Sequence, residues 1–306
     1  MKKIRVGILG YGNLGKSIEE IVHNDKHFKL VAVFSKRNIK ATYAKVDFAS
    51  NIEKYKDKID IMFLCGGSSS NLMEQATKAL QFFNCIDAFD THKKIPEHIK
   101  NCNLFARKYN KVAFCSFGWD PGLFSLMRTL FNFLDKTTFT IWGKGVSQGH
   151  SEAIKCIKGV KDAIEYTVPN AKLVEQIKSG KVTYLKDEKS LHTRECFIVA
   201  EPKDRPQIAN KVINMPNYFK GYNTKITFID DVKMHKHRKM FHAGEVFTSG
   251  GELSFKLKID SNPNFTAKVL VEYSKVLYNY FTAKKFGAYS ILDIPFSHML
   301  NTIKYL

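Results

Sequence analysis

Ile4-Arg5-Val6-Gly7-Ile8-Leu9-Gly10-Tyr11-Gly12-Asn13-Leu14-Gly15 joins an apolar run to a G-x-G-x-x-G turn, and a helical pattern follows from Lys16 to His23. A second apolar run, Leu30-Val31-Ala32-Val33-Phe34, comes at the spacing of a strand–helix–strand unit and ends on Ser35-Lys36-Arg37. Gly10 permits a tight turn, Gly12 lets backbone approach a pyrophosphate, and Gly15 lets helix and strand pack closely. The free N–H groups at the helix start complement phosphate charge. A glycine turn alone is a weak signal, and a purely structural turn is its bland reading. The strand before it, the helix after it and the second strand together point to a dinucleotide site.

The residues closing the second strand choose between dinucleotides. An acid there binds a ribose 2′-hydroxyl, whereas cations and hydroxyls suit a 2′-phosphate. Ser35, Lys36 and Arg37 supply one hydroxyl and two cations with no acid among them, so NADP is the expected cofactor. Charge-assisted hydrogen bonds contribute about 1.5–3 kcal/mol each. Two of them, discounted for exposure, amount to roughly a hundredfold preference over NAD.

Outward from this unit, strand and helix patterns keep alternating. Strands are expected at 60–65, 85–89 and 112–116, and helices at 72–83 and 98–109. Such alternation means a Rossmann-type, doubly wound parallel sheet, in an α/β fold whose ligands bind at the carboxyl ends of the strands. Those ends carry Gly66-Gly67-Ser68, Asp90-Thr91-His92 and Gly118-Trp119-Asp120-Pro121-Gly122. From about Phe124 the pattern changes to a helix (124–134) and strands near 139–142, 194–200, 225–230, 245–248 and 252–259. This reads as a second α+β domain with a mixed, mainly antiparallel sheet. A long apolar-rich helical pattern, 265–284, is expected to return to the first domain. The expected division is 1–121 with 263–306 for the dinucleotide domain and 122–262 for a substrate and dimerisation domain.

The chain has 306 residues, 48 of them Lys or Arg, and a formal net charge of +19. Only seven of the basic residues are arginine, and the lysines are spread along the whole chain. Nucleic-acid surfaces favour clustered arginine, so neither nucleic acid nor a membrane is expected as a partner. The positive field still suits anionic ligands. Six cysteines without a C-x-x-C pair fit a reducing, cytoplasmic setting and suggest neither zinc nor a redox dithiol. His235, His237 and His242 match no metal spacing and are interleaved with Lys236, Arg238 and Lys239, so no metal is expected. No nucleophile elbow or P-loop is present, which leaves the hard step to the cofactor.

Asp90 and Asp120 follow apolar strands at the nicotinamide end, where two carboxylates suit an ammonium-bearing substrate. Their bland readings are a cap and an Asp-Pro turn. Residues 142–150, Trp-Gly-Lys-Gly-Val-Ser-Gln-Gly-His, read as a glycine-rich loop able to approach a ligand, or as an ordinary connection. Arg194 stands in a strand in a protein that otherwise uses lysine, and a bidentate carboxylate clamp needs arginine. Pairing with Glu195 or another acid is the competing reading.

These blocks together resemble the meso-diaminopimelate dehydrogenase family over essentially the whole chain. The marks are GYGNLG, the Ser35–Arg37 run, Asp90-Thr91-His92, GWDPG at 118–122, the Trp142–Ser151 segment with SQGHS, Tyr166–Pro169 and Asn262–Ala267. The resemblance implies NADP-dependent, reversible oxidative deamination of the D-centre of meso-2,6-diaminopimelate to L-2-amino-6-oxopimelate and ammonia, by a homodimer. Gly10, Tyr11, Gly12, Asn13 and Leu14 would meet the pyrophosphate, and Ser35, Lys36 and Arg37 the 2′-phosphate. Cys65, Gly66, Gly67, Ser68, Ala88, Phe89, Asp90, Trp119, Asp120, Pro121 and Gly122 would line the rest of the cofactor. Asp90 and Asp120 would hold the reacting amino group, with Trp142, Gln148 and Gly149 shaping the site. Thr167, Arg194, His242 and Asn262 would anchor the distal amino-acid end. Lys36 stands where the family commonly has Arg, Phe89 where it has Tyr, and Glu245 where another residue is usual. A different amino-acid dehydrogenase or reductase on this fold, or a non-catalytic NADP-binding regulator, is the alternative.

Overall fold

A computed structural model describes residues 3–67, 71–234 and 242–299. In chain order the first elements are β1 (Ile4–Leu9), α1 (Asn13–Asn24), β2 (Phe28–Ser35), β3 (Val46–Phe48), β4 (Ile61–Leu64), α2 (Leu72–Ala79), β5 (Asn84–Asp87), α3 (Ile95–Lys108), β6 (Val112–Phe114) and α4 (Leu123–Leu134). The middle of the chain forms β7 (Thr138–Trp142), β8 (Gly145–Val146), α5 (Gln148–Lys155), β9 (Val160–Pro169), α6 (Ala171–Lys178), β10 (His192–Ala200), α7 (Arg205–Ile213), β11 (Asn223–Phe228), α8 (Asp231–Met234), β12 (His242–Thr248) and β13 (Ser254–Ile259). The last elements are α9 (Asn262–Thr282), β14 (Gly287–Tyr289) and α10 (Phe296–Met299).

Two units result, one from residues up to Leu126 with those from Pro263 onward, the other from Met127–Asn262. In the first, seven strands lie in the order β14-β6-β5-β4-β1-β2-β3, all parallel. Strand side chains alternate between two cores, as the period of two requires. Val6, Ile8, Ile61 and Phe63 pack with α1 (Ile18, Val22) and α9 (Leu270, Val271, Leu277). Leu9, Met62, Leu64 and Phe34 pack on the opposite face with α2 and α3 (Ala76, Ala79, Cys102, Ala106). Helices thus cover both faces, the condition under which an all-parallel sheet is stable. β1 has β2 on one side and β4 on the other, so the carboxyl end of β1 is a switch point where ligands bind such sheets.

The second unit holds two sheets rather than the one expected. One is four-stranded and mixed, β11-β10-β9-β8, with only the β10–β11 pair parallel. The other is three-stranded and antiparallel, β13-β12-β7. The ten-residue β9 escaped the sequence reading because Lys161, Asp162, Glu165 and Thr167 break its apolar pattern, although Glu165 and Thr167 are buried. Residues 142–150 are not a loop: they form the end of β7, the short β8 and the start of α5. Among the described residues no helix is long and apolar enough to cross a membrane.

Candidate active site

The glycine turn is built as the spacing requires. Gly10 has φ +102°, and a Cβ there would lie 2.8 Å from the Cys65 carbonyl. A Cβ on Gly15 would lie 2.4 Å from the Gly10 carbonyl oxygen. Gly12 differs, because a Cβ there would meet no atom of the chain within 4 Å. Its missing side chain therefore serves no internal packing and leaves room for a ligand above the backbone. α1 starts with neither a capping side chain nor an acid in its first turn, so its positive end is not neutralised from within the helix. Gly12 and Asn13 are exposed and Leu14 is half-buried at this end. These residues fit the pyrophosphate of a dinucleotide.

Tyr11 behaves differently from its neighbours in the turn. Its side chain is buried and its phenol donates to Glu19, so its backbone is what remains for a phosphate. The Glu19 carboxylate, 1% exposed, also accepts from the N–H groups of Thr42 (3.2 Å), Tyr43 (2.8 Å) and Ala44 (3.1 Å). One buried acid thereby ties the glycine turn to the segment that follows Ser35-Lys36-Arg37. Ser35 is buried at the end of β2, where its Oγ accepts from the Arg37 N–H at 3.0 Å and keeps its own proton to donate. Lys36 and Arg37 are exposed. Glu74 of α2 lies within electrostatic reach of Lys36 but is hydrogen-bonded to Lys78 at 2.6 Å.

Further along the rim, the Cys65 N–H donates to the Leu9 carbonyl at 2.8 Å, and burial pushes the Cys65 thiol far up, which makes it a poor nucleophile. Gly66 lies against the Gln75 side chain, and Gly67 accepts from the Asn71 N–H at 3.3 Å. Ser68 lies outside the described residues, as do His235 and His237. Phe89 is buried with its ring 4.6 Å from that of His98, whereas Ala88 is half-buried and Asp90 exposed. The segment from Gly118 to Gly122 closes on itself: Gly122 has φ +137°, and a Cβ there would lie 1.9 Å from the Gly118 oxygen. Trp119 packs edge-on against Phe124 at 5.1 Å, while Asp120 and Pro121 are half-buried.

The second unit concentrates polar groups around Arg194. Pairing across three strands sets Gly145, Thr167 and Arg194 in one row. The guanidinium donates to Thr167 Oγ1, lies 3.6 Å from Glu165 and stacks on the Tyr222 ring at 4.3 Å. Arg194 is buried, and its Nε has no hydrogen-bond partner among the described residues. The competing Glu195 turns instead toward Lys225, 3.9 Å away. Burial raises the Glu165 carboxyl to about 7 against the opposing charge of Arg194 and hydrogen bonds from Thr167 and Arg194. A partly neutral Glu165 leaves Arg194 charge to spare for an anionic ligand.

Around this row, burial and then the Arg194 charge depress His192 to about 4 and His150 to about 3, so both are neutral near neutrality. His192 Nε2 accepts from the Trp142 N–H at 3.0 Å, and the two rings lie 5.2 Å apart. Gly143 fits tightly against the Thr167 carbonyl, where a Cβ would come within 2.0 Å. Ser147 caps α5, whose first residues, Gln148 and Gly149, are exposed; a Cβ on Gly149 would meet nothing within 4 Å. His242 opens β12, two residues before Gly244 pairs with Trp142. Asn262 is half-buried at the start of α9, where the chain returns to the first unit. Glu245 is buried and held by Lys178 (2.7 Å) and Ser254 (2.7 Å), which accounts for an acid at this position without a ligand.

Sequence reasoning missed Glu19, Asp87, His98, Glu165, His192 and Tyr222. For two of them a signal was available. Glu19 falls on the stripe Gly15-Ile18-Glu19-Val22, and His98 on the stripe His98-Cys102-Ala106, each the buried side of its helix. A polar residue inside an apolar stripe marks a partnered buried group.

Comparison with known proteins adds a family. Residues 118–261 match the model for the diaminopimelic acid dehydrogenase C-terminal domain. The chain is 43% identical to a meso-diaminopimelate D-dehydrogenase of Lysinibacillus sphaericus, covering 97% of this chain and 95% of that one. It is 37% identical to the enzyme of that name from Corynebacterium glutamicum, covering 96% and 94%. Among solved structures, the C. glutamicum DAP dehydrogenase in complex with DAP superposes with a TM-score of 0.94 at 34% identity, covering both chains fully. An engineered D-amino acid dehydrogenase bound to NADP+ gives a TM-score of 0.90 at 33% identity, covering 99% and 100%.

Proposed function

The chain belongs to the meso-diaminopimelate D-dehydrogenase family, and from that membership we propose that it deaminates the D-centre of meso-2,6-diaminopimelate oxidatively with NADP. The observation that carries this reading over to the chain's own residues is Gly12, whose open space suits a pyrophosphate, together with Arg194, whose buried Nε is left for a carboxylate. The non-catalytic alternative finds no support, since the near full-length relatives above bear the names of dehydrogenases.

Gly10, Gly12, Asn13 and Leu14 hold the pyrophosphate, with Tyr11 contributing backbone. Ser35, Lys36 and Arg37 hold the 2′-phosphate; the Ser35 hydroxyl and two exposed cations supply the complementary charge and donors. Cys65, Gly66, Gly67, Ala88, Phe89 and the Trp119–Gly122 segment line the remainder. When bound, NADP supplies the acceptor for the hydride leaving the D-carbon.

Asp90 and Asp120 receive the ammonium of that carbon. Their carboxylates orient it and take up its proton, so that the carbon–nitrogen double bond forms as hydride leaves. Water then adds to this bond and ammonia departs, giving L-2-amino-6-oxopimelate. Thr167, Arg194, His242 and Asn262 anchor the L-end, with Arg194 on its carboxylate and Trp142, Gln148 and Gly149 shaping its surroundings. A substrate without that end leaves the buried guanidinium unmatched, at a cost of about 1–3 kcal/mol.

The working form is a homodimer. Leu130, Phe133 and Leu134 stand exposed at i, i+3 and i+4 on α4, Phe133 to 81%, which is an apolar face suited to a second copy. All six cysteines are free thiols, which supports a reducing, cytoplasmic setting. The test is NADPH formation by purified protein with the meso, LL and DD isomers. The meso form should be turned over and the LL form should not; equal rates with LL would remove the D-centre assignment. Light scattering at micromolar protein should give twice the chain mass.

A further inference from the structure

Asp87 ends β5, three residues before Asp90, and it is 2% exposed. Its Oδ1 accepts the N–H groups of both Phe89 and Ser116, each at 2.9 Å, and its backbone carbonyl accepts from Phe117 at 2.8 Å. Phe89 lies in the segment leading to Asp90, and Ser116 and Phe117 in the one leading to Asp120. Ser116 reaches this arrangement with φ +65°, a conformation costly for a residue with a side chain. The other carboxylate oxygen meets His98 Nε2 of α3 at 2.8 Å, and His98 is fully buried.

A buried ion pair of this kind rarely stabilises a fold more than apolar residues of equal volume would. Its use lies in fixing geometry. We propose that Asp87 and His98 are a positioning pair: Asp87 ties the β5 and β6 loops to one another, His98 fixes the orientation of the Asp87 side chain, and together they set the spacing of Asp90 and Asp120. The closed Gly118–Gly122 turn passes that register from Ser116 on to Asp120. The proposal rests on the reading of Asp90 and Asp120 as the carboxylates that receive the reacting ammonium.

Four full-length variants test it: Asp87→Ala and His98→Leu, with the conservative Asp87→Asn and His98→Gln. Asn retains an oxygen for the two N–H groups, and Gln retains a donor to Asp87. NADP-binding stoichiometry at saturating cofactor reports the folded fraction. The expected result is a fall in kcat with meso-diaminopimelate of at least about tenfold for Ala and Leu. NADP binding should stay at one per chain, and Asn and Gln should restore kcat to within about threefold of the parent. Parental kcat in Ala and Leu would overturn the proposal. So would activity that falls only in step with NADP-binding capacity, which would make the pair an element of the fold and nothing more. Asp90→Asn and Asp120→Asn belong in the same assay. Parental turnover in those two would remove the reading of the reacting carboxylates, whatever the Asp87 and His98 variants do.

Discussion

The phenol of Tyr11 is bound to the carboxylate of Glu19, eight residues on, and that carboxylate also gathers the N–H groups of residues 42–44. The glycine turn and the segment after Ser35-Lys36-Arg37 are thus fastened to the same point. Glu19→Ala should raise the KM for NADP by at least about tenfold, with the KM for meso-diaminopimelate unchanged at saturating cofactor. Steady-state kinetics with each substrate varied in turn measure this, and a rise confined to meso-diaminopimelate would contradict it.

Arg37→Ala addresses cofactor choice. One charge-assisted contact contributes about 1.5–3 kcal/mol, so the KM for NADP should rise roughly ten- to a hundredfold. The KM for NAD, which lacks the 2′-phosphate, should stay where it is. An equal effect on both cofactors would separate Arg37 from the 2′-phosphate.

Arg194→Met removes the guanidinium while keeping much of its volume. kcat/KM for meso-diaminopimelate should drop by about a hundredfold, with NADP affinity measured by fluorescence titration unchanged. Parental kinetics would take Arg194 out of the substrate site.

Glu165 supplies a pH test. Its carboxyl is raised from an ordinary 4.5 to about 7 by burial, against the pull of Arg194. A folded-state value above the unfolded one means that the folded chain holds the extra proton between them. The contribution of Glu165 to stability is therefore fully present below pH 4.5 and is lost as pH rises through about 7. Relative to Glu165→Gln, the parent should lose on the order of 3 kcal/mol across that window. Urea unfolding of both proteins at about pH 5 and about pH 8 measures the difference. Parallel curves would contradict it.

The local part of this architecture was legible in the chain. Gly10, Gly12 and Gly15 with the Ser35–Arg37 run sit in contiguous order, and their roles follow from backbone freedom and charge within a few residues. Arg194 stood out because the protein so seldom uses arginine. Its surroundings did not: Thr167 and Glu165 come from another strand 27 and 29 positions earlier, and β9 carries too many polar residues to announce itself as buried. Asp87 was hidden for a related reason. It closes an apolar strand like any turn residue, and only the folded chain brings the Ser116 N–H to it across 29 positions.

The edge strand β14 pairs with β6, and α9 covers one face of the same sheet, yet both are encoded after the whole of Met127–Asn262. During synthesis the amino-terminal strands leave the ribosome long before the residues that complete their sheet. The intervening unit, continuous in sequence, has every strand it needs by residue 259. The unit that carries the glycine turn is thus started before the intervening unit and finished after it. A ribosome-bound chain halted near residue 260 would carry the glycine turn without α9 and without its seventh strand.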